Sequence, residues 1–145
     1  MITDAGTENS IFSPFPHAPG GQRARHGANH PFTFKDTVKE EGGEPDKIFR
    51  IHLPDDAEFA AELEKNASAK YWDIWPNAEE TNCSIGANRT LRAGGLVYLP
   101  KQWGYTFAGA IARDLKSAVR YSKFNRIMHD LIGVNLVSWS VTQIK

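Results

Sequence analysis

YTFAGAIARDLKSAVRYSKFNRIMHDL, residues 105–131, lies in the longest proline-free run of the chain, and its apolar residues recur at helical intervals. Ile111, Leu115, Ala118 and Val119 fall on one side of a helical wheel, the stripe that a helix turns towards a core. Arg113, Lys116, Arg120 and Lys123 fall together on another side, spaced by three, four and three residues, with Asp114 expected to project elsewhere. The apolar stripe then shifts. Phe124, Ile127, Met128 and Leu131 lie nearly opposite the first set. Either the helix breaks around Tyr121–Asn125, or it runs unbroken over residues 107–131 with apolar side chains on two faces. The second arrangement needs a partner for the outer face, from this chain or another.

Working outward, Gly133 suits the residue just past a helix end, where a positive φ is wanted. VNLVSWSVTQI, residues 134–144, follows as a closing strand with Val137, Trp139 and Val141 inward and Ser138, Ser140 and Thr142 outward. Upstream, KIFRIHL, residues 47–53, sets Phe49, Ile51 and Leu53 against Arg50 and His52, a half-buried strand that Pro54 ends. Asp55, with Glu58 three residues on, reads as a capping box. Phe59 and Leu63 continue the inner face of a helix to about Lys70, with acids in its first turns where the helix dipole favours them. NAEETNCSIGAN, residues 77–88, reads as a loop. A second strand is predicted over Leu96–Leu99, beginning near Thr90, with Gly94-Gly95 as a bulge or close backbone approach. Pro100–Gly104 then turns the chain into the long helix. This order predicts an α+β fold: a small sheet of about three strands with one layer of two helices.

Residues 1–46 do not look like core. Four prolines and several glycines between Glu8 and Phe34 come without a period of two or of a helical turn, and such a segment buries too little apolar area to offset its ordering entropy alone. Yet it carries Phe12, Phe15, Phe32 and Phe34, which a plain linker would not need. The expected organisation is an extended N-terminal arm over residues 1–46, whose aromatic rings anchor on its own domain or a neighbour, and a compact domain over residues 47–145. KEEGGEPD, residues 39–46, is the hinge between them. Tyr71, Trp72 and Trp75 close the core above the first helix or, as favoured interface residues, join Phe12, Phe15, Phe32 and Phe34 in holding a partner.

Charge is segregated behind a formal net charge of zero. Residues 46–80 hold nine acids and four bases, and residues 101–145 hold seven bases and two acids. The two halves are expected to fold together and partly neutralise each other; otherwise they form a two-signed docking surface. A globally basic nucleic-acid binder would have a far higher isoelectric point than the 7.0 of this chain. Cys83 is the one cysteine, which excludes an intrachain disulfide and a thiolate metal cluster and fits a reducing compartment. Residues 1–30 hold no apolar run of signal-peptide length, and Met1 precedes a bulky Ile2, so no removed leader is expected. No apolar run is long enough for a membrane span. The Asn-x-Ser/Thr triplets at Asn66, Asn82 and Asn88 are expected to be fortuitous.

His26 and His30 are four apart with His17 nearby, but Gly27 and Pro31 oppose a helix and no carboxylate or cysteine sits beside them, so no metal is expected. His129 reads as a complement to the helix dipole. Cys83 could act as a nucleophile with His52 or His129 as its base, yet Glu79 and Glu80 put negative charge beside an anionic nucleophile. GANRTLRAGG, residues 86–95, lacks the Gly-Lys-Ser/Thr ending of a phosphate loop and precedes a predicted strand.

With no cofactor, metal or catalytic set in view, the expected role is a non-enzymatic structural subunit of a large assembly, such as a virion or phage cement or connector protein. It would dock through its arm onto other subunits, copies of itself included, in the cytoplasm or within a virion. The alternative is a small nucleic-acid-binding or regulatory protein whose Arg113, Lys116, Arg120 and Lys123 track an anionic partner.

Overall fold

The computed structural model describes residues 2–3, 10–11, 15–16, 24–25, 38–39, 42–69, 71–73, 76, 80–101 and 108–145. Along the chain run β1 (Ile2–Thr3), β2 (Ser10–Ile11), β3 (Phe15–Pro16), β4 (Ala24–Arg25), β5 (Phe49–His52), α1 (Asp56–Ala67), β6 (Tyr71–Trp72), β7 (Glu80–Thr81), α2 (Cys83–Ala93), α3 (Ala108–Ile132) and β8 (Ser140–Gln143). The fold is α+β, with helices α1 to α3 and small two-stranded sheets among the described residues.

The described parts of the N-terminal segment form two local antiparallel ladders, β1 with β2 and β3 with β4, each two residues long. Within residues 47–145 the first strand pairs with the last. β5 runs antiparallel to β8, with Ile51 opposite Val141. Inward residues alternate as expected: Phe49, Ile51 and Val137 pack on the core, Trp139 and Val141 are buried, and Ser138, Ser140 and Thr142 are exposed.

Asp55 caps α1, its Oδ1 accepting from Glu58 N at 2.9 Å. Only this half of the expected capping box is seen, because the Asp55 N–H donates instead to Gly94 O at 3.2 Å. That bond ties the start of α1 to the end of α2.

The stretch 83–99 departs from expectation. Residues 83–93 form α2, where a loop to Asn88 and a strand beginning near Thr90 were expected, and no strand forms over Leu96–Leu99. Asn82 begins the helix, its Oδ1 accepting from Ile85 N at 2.8 Å. The glycine pair ends it. Leu96 N donates to Leu91 O and Gly95 N to Arg92 O, each at 3.0 Å, and Gly95 sits at φ +103. This is a Schellman termination, with Leu91 and Leu96 both buried across it. The chain then turns, so that Leu96 and Leu99 are fully buried while Val97 and Tyr98 are exposed. Inward spacing of three, against the two of a strand, identifies a turn. The Arg92 guanidinium holds it, donating from Nη1 to Val97 O (3.3 Å) and to Leu99 O.

α3 runs without a break through Tyr121–Asn125. Ile111, Leu115 and Ala118 enter the core with Leu91, Leu96, Leu99, Trp139 and Val141. In the second half the inner face turns polar and bonds the returning chain. Ser122 Oγ accepts from Val141 N (2.9 Å), and Asn125 Oδ1 accepts from Leu136 N (2.6 Å) and Val137 N (3.3 Å). Gly133 closes the helix at φ +70, its N–H on His129 O at 2.8 Å. α1 packs chiefly on α2, α2 also touches α3, and α3 lies against β8.

Candidate partner-binding face

The polar inner edge of α3 decides what the outer edge presents. Ser122 and Asn125 occupy the core side, so Phe124, Ile127 and Leu131 are turned to solvent, at 48%, 53% and 74% exposure. Ile132, the last residue of the helix, and Val134 and Leu136 just past it are exposed too. Each large apolar side chain left in water forgoes roughly 1.5–3 kcal/mol relative to burial. A contiguous set of this kind marks a binding surface more often than a lone exposed leucine does.

Arg113, Lys116, Arg120 and Lys123 are all exposed on that same side. Residues 113, 116, 120, 123, 127 and 131 follow the spacing of one helix face, so a single ridge about 27 Å long is cationic at first and apolar towards its end. Arg113 is partly compensated, because Asp114, expected to project elsewhere, lies 3.4 Å from its Nε. Lys116, Arg120 and Lys123 have no acidic partner among the described residues.

Among the described residues no ion pair joins α1 to α3. Lys65 pairs with Glu62 inside α1 at 3.7 Å, His129 with Asp130 at 3.6 Å, and Lys145 with Glu44 at 2.9 Å. The last pair holds the Glu44 carboxyl below its ordinary value by a hydrogen bond and the nearby positive charge.

The other proposed anchors divide. Phe12, Phe32, Phe34 and Trp75 lie outside the described residues, as do His17, His26 and His30. Phe15 and Trp72 fall in β3 and β6, described as backbone. Tyr71, beside Trp72, is 49% exposed. Tyr98 was missed; it lies in the misread stretch 96–99. Its ring packs 5.5 Å from that of Tyr121 and 5.6 Å from that of Trp139, and Tyr121 lies 6.2 Å from Phe124. A chain of aromatic contacts therefore connects the core to the exposed ridge.

Cys83 is exposed at the first residue of α2, with Ser84 Oγ 3.9 Å from its Sγ. GANRTLRAGG, expected to precede a strand, is the body and end of α2. Asn66, Asn82 and Asn88 are all buried, with side-chain amides bonded to Glu62 O, Asp73 O and Pro100 O, so none of the three is accessible for glycosylation in the fold. Among the described residues no three His, Cys, Asp or Glu side chains gather as a metal site, and no helix is long and apolar enough to cross a membrane. No protein-family model matches this chain, and neither a curated protein nor a solved structure is detectably similar to it.

Proposed function

We propose that this protein is a non-enzymatic subunit of a larger protein assembly, docking through the outer ridge of α3, with the N-terminal aromatic residues as additional anchors. One observation carries the reading: Phe124, Ile127 and Leu131 are exposed on a helix whose opposite face enters the core through Ile111, Leu115 and Ala118 and bonds the returning chain through Ser122 and Asn125. A stable domain gains nothing from that placement, whereas an interface does, since interface centres favour aromatic and aliphatic groups beside arginine. A cement or connector role in a virion remains the specific form we favour, on architecture alone. Oxidative footprinting of these side chains in the isolated protein and in freshly opened source cells tests the reading, with protection expected in the cells.

A further inference from the structure

We propose that the cationic half of α3 receives the acidic helix α1 of a second copy, so that copies associate head to tail. The inference rests on the docking reading above and names its partner. α1 exposes Asp56, Glu58 and Glu64, and its only base, Lys65, is paired with Glu62. α3 exposes Lys116, Arg120 and Lys123 without acidic partners among the described residues. Within one molecule α2 packs on both helices, and among the described residues no ion pair joins them. Opposite charges of similar extent are therefore exposed on two different helices of the same fold. From Asp56 to Glu64 the rise is about 12 Å, and from Lys116 to Lys123 about 11 Å, so the two charged spans are similar in length along their helix axes.

The shapes fit as well. The acids of α1 flank an exposed ridge of Ala57, Ala60 and Ala61, low enough for another helix to approach closely. The aliphatic stems of Lys116 and Arg120 can lie over those alanines while their charged ends reach the carboxylates. Each exposed pair contributes about 1 kcal/mol or less, so charge sets register and on-rate while Phe124 and Ile127 supply apolar contact. The acidic and basic faces are different surfaces. The contact extends a chain or closes a ring unless two copies exchange it reciprocally about a two-fold axis, which a limiting dimer mass would report. A chain with no net charge favours this partner over nucleic acid, which the acidic face would repel.

Sedimentation of the purified chain at low and high ionic strength tests this. The expected mass rises with concentration above 16.2 kDa at low salt and returns to 16.2 kDa when salt screens the pairs. Lys116→Gln/Arg120→Gln/Lys123→Gln and Asp56→Asn/Glu58→Gln/Glu64→Gln should each weaken association about tenfold or more. Mixed together, the two variants should form a one-to-one dimer, because each keeps the face the other has lost. A wild-type chain that stays monomeric at low salt overturns the proposal, as does association that both triple variants retain. Cosedimentation with a mixed-sequence oligonucleotide in place of self-association overturns it in favour of nucleic acid. Monomeric behaviour with Phe124, Ile127 and Leu131 still protected in source cells would remove this partner and leave the docking reading standing; loss of that protection would remove the reading itself.

Discussion

Gly95→Ala is expected to be among the most damaging single substitutions in the chain, costing about 3–5 kcal/mol from strain and overpacking together. Two causes act at one position. Gly95 sits at φ +103, which side-chain-bearing residues avoid, and an added Cβ would lie 2.5 Å from Pro54 Cγ and 2.9 Å from Pro54 Cδ. Pro54 follows β5 and leads into the cap of α1, so relief by movement would disturb the Asp55–Gly94 bond that joins α1 to α2. Gly133→Ala provides the control. Its φ of +70 also disfavours alanine, but nothing lies within 4 Å of the added atom. That variant should lose only about 1–2 kcal/mol. Equal losses in denaturant unfolding would show that the approach of Pro54 contributes nothing.

Trp139→Ala should cost about 3–5 kcal/mol, lowering the melting temperature by on the order of 10 °C. Trp139 is 4% exposed, lies in the buried cluster of α2, α3 and β8, and packs its ring 5.6 and 5.8 Å from those of Tyr98 and Tyr121. Removing it opens a cavity beneath the aromatic chain that leads to Phe124. Trp139→Phe should be far milder, since Nε1 has no hydrogen-bond partner among the described residues and its removal orphans no acceptor. Thermal unfolding of both variants checks this, and similar melting temperatures would contradict it.

Where periodicity and cap chemistry agreed, the sequence could be read directly. The strand at 49–52 alternates, Asp55 caps α1, Gly133 ends α3, and Trp139 and Val141 face inward. α2 escaped because its buried face is mostly small or polar: Ser84, Gly86, Asn88 and Thr90 give no hydrophobic period. Their burial depends on partners remote in sequence, such as Asn88 Nδ2 on Pro100 O at 3.4 Å and Asn66 Nδ2 on Thr90 Oγ1 at 3.4 Å. The glycine pair was visible, but its use as a helix stop required knowing that a helix preceded it.

The candidate site was legible in part for the same reason. The shift of the apolar stripe past Tyr121 could be seen, as could the cationic row. What settles the helix as unbroken is tertiary: Ser122 and Asn125 meet backbone groups eleven to nineteen residues away. No local propensity announces that bond pattern. Likewise, segregated charge could be counted along the chain, but not whether the two halves met.

Oxidative footprinting of Phe124, Ile127 and Leu131 tests most directly whether the outer ridge of α3 is an interface. The isolated chain should be labelled at all three, and the same side chains should be protected when the protein is labelled inside freshly opened source cells. Equal labelling in both settings would contradict the account, leaving the ridge a surface that water alone covers.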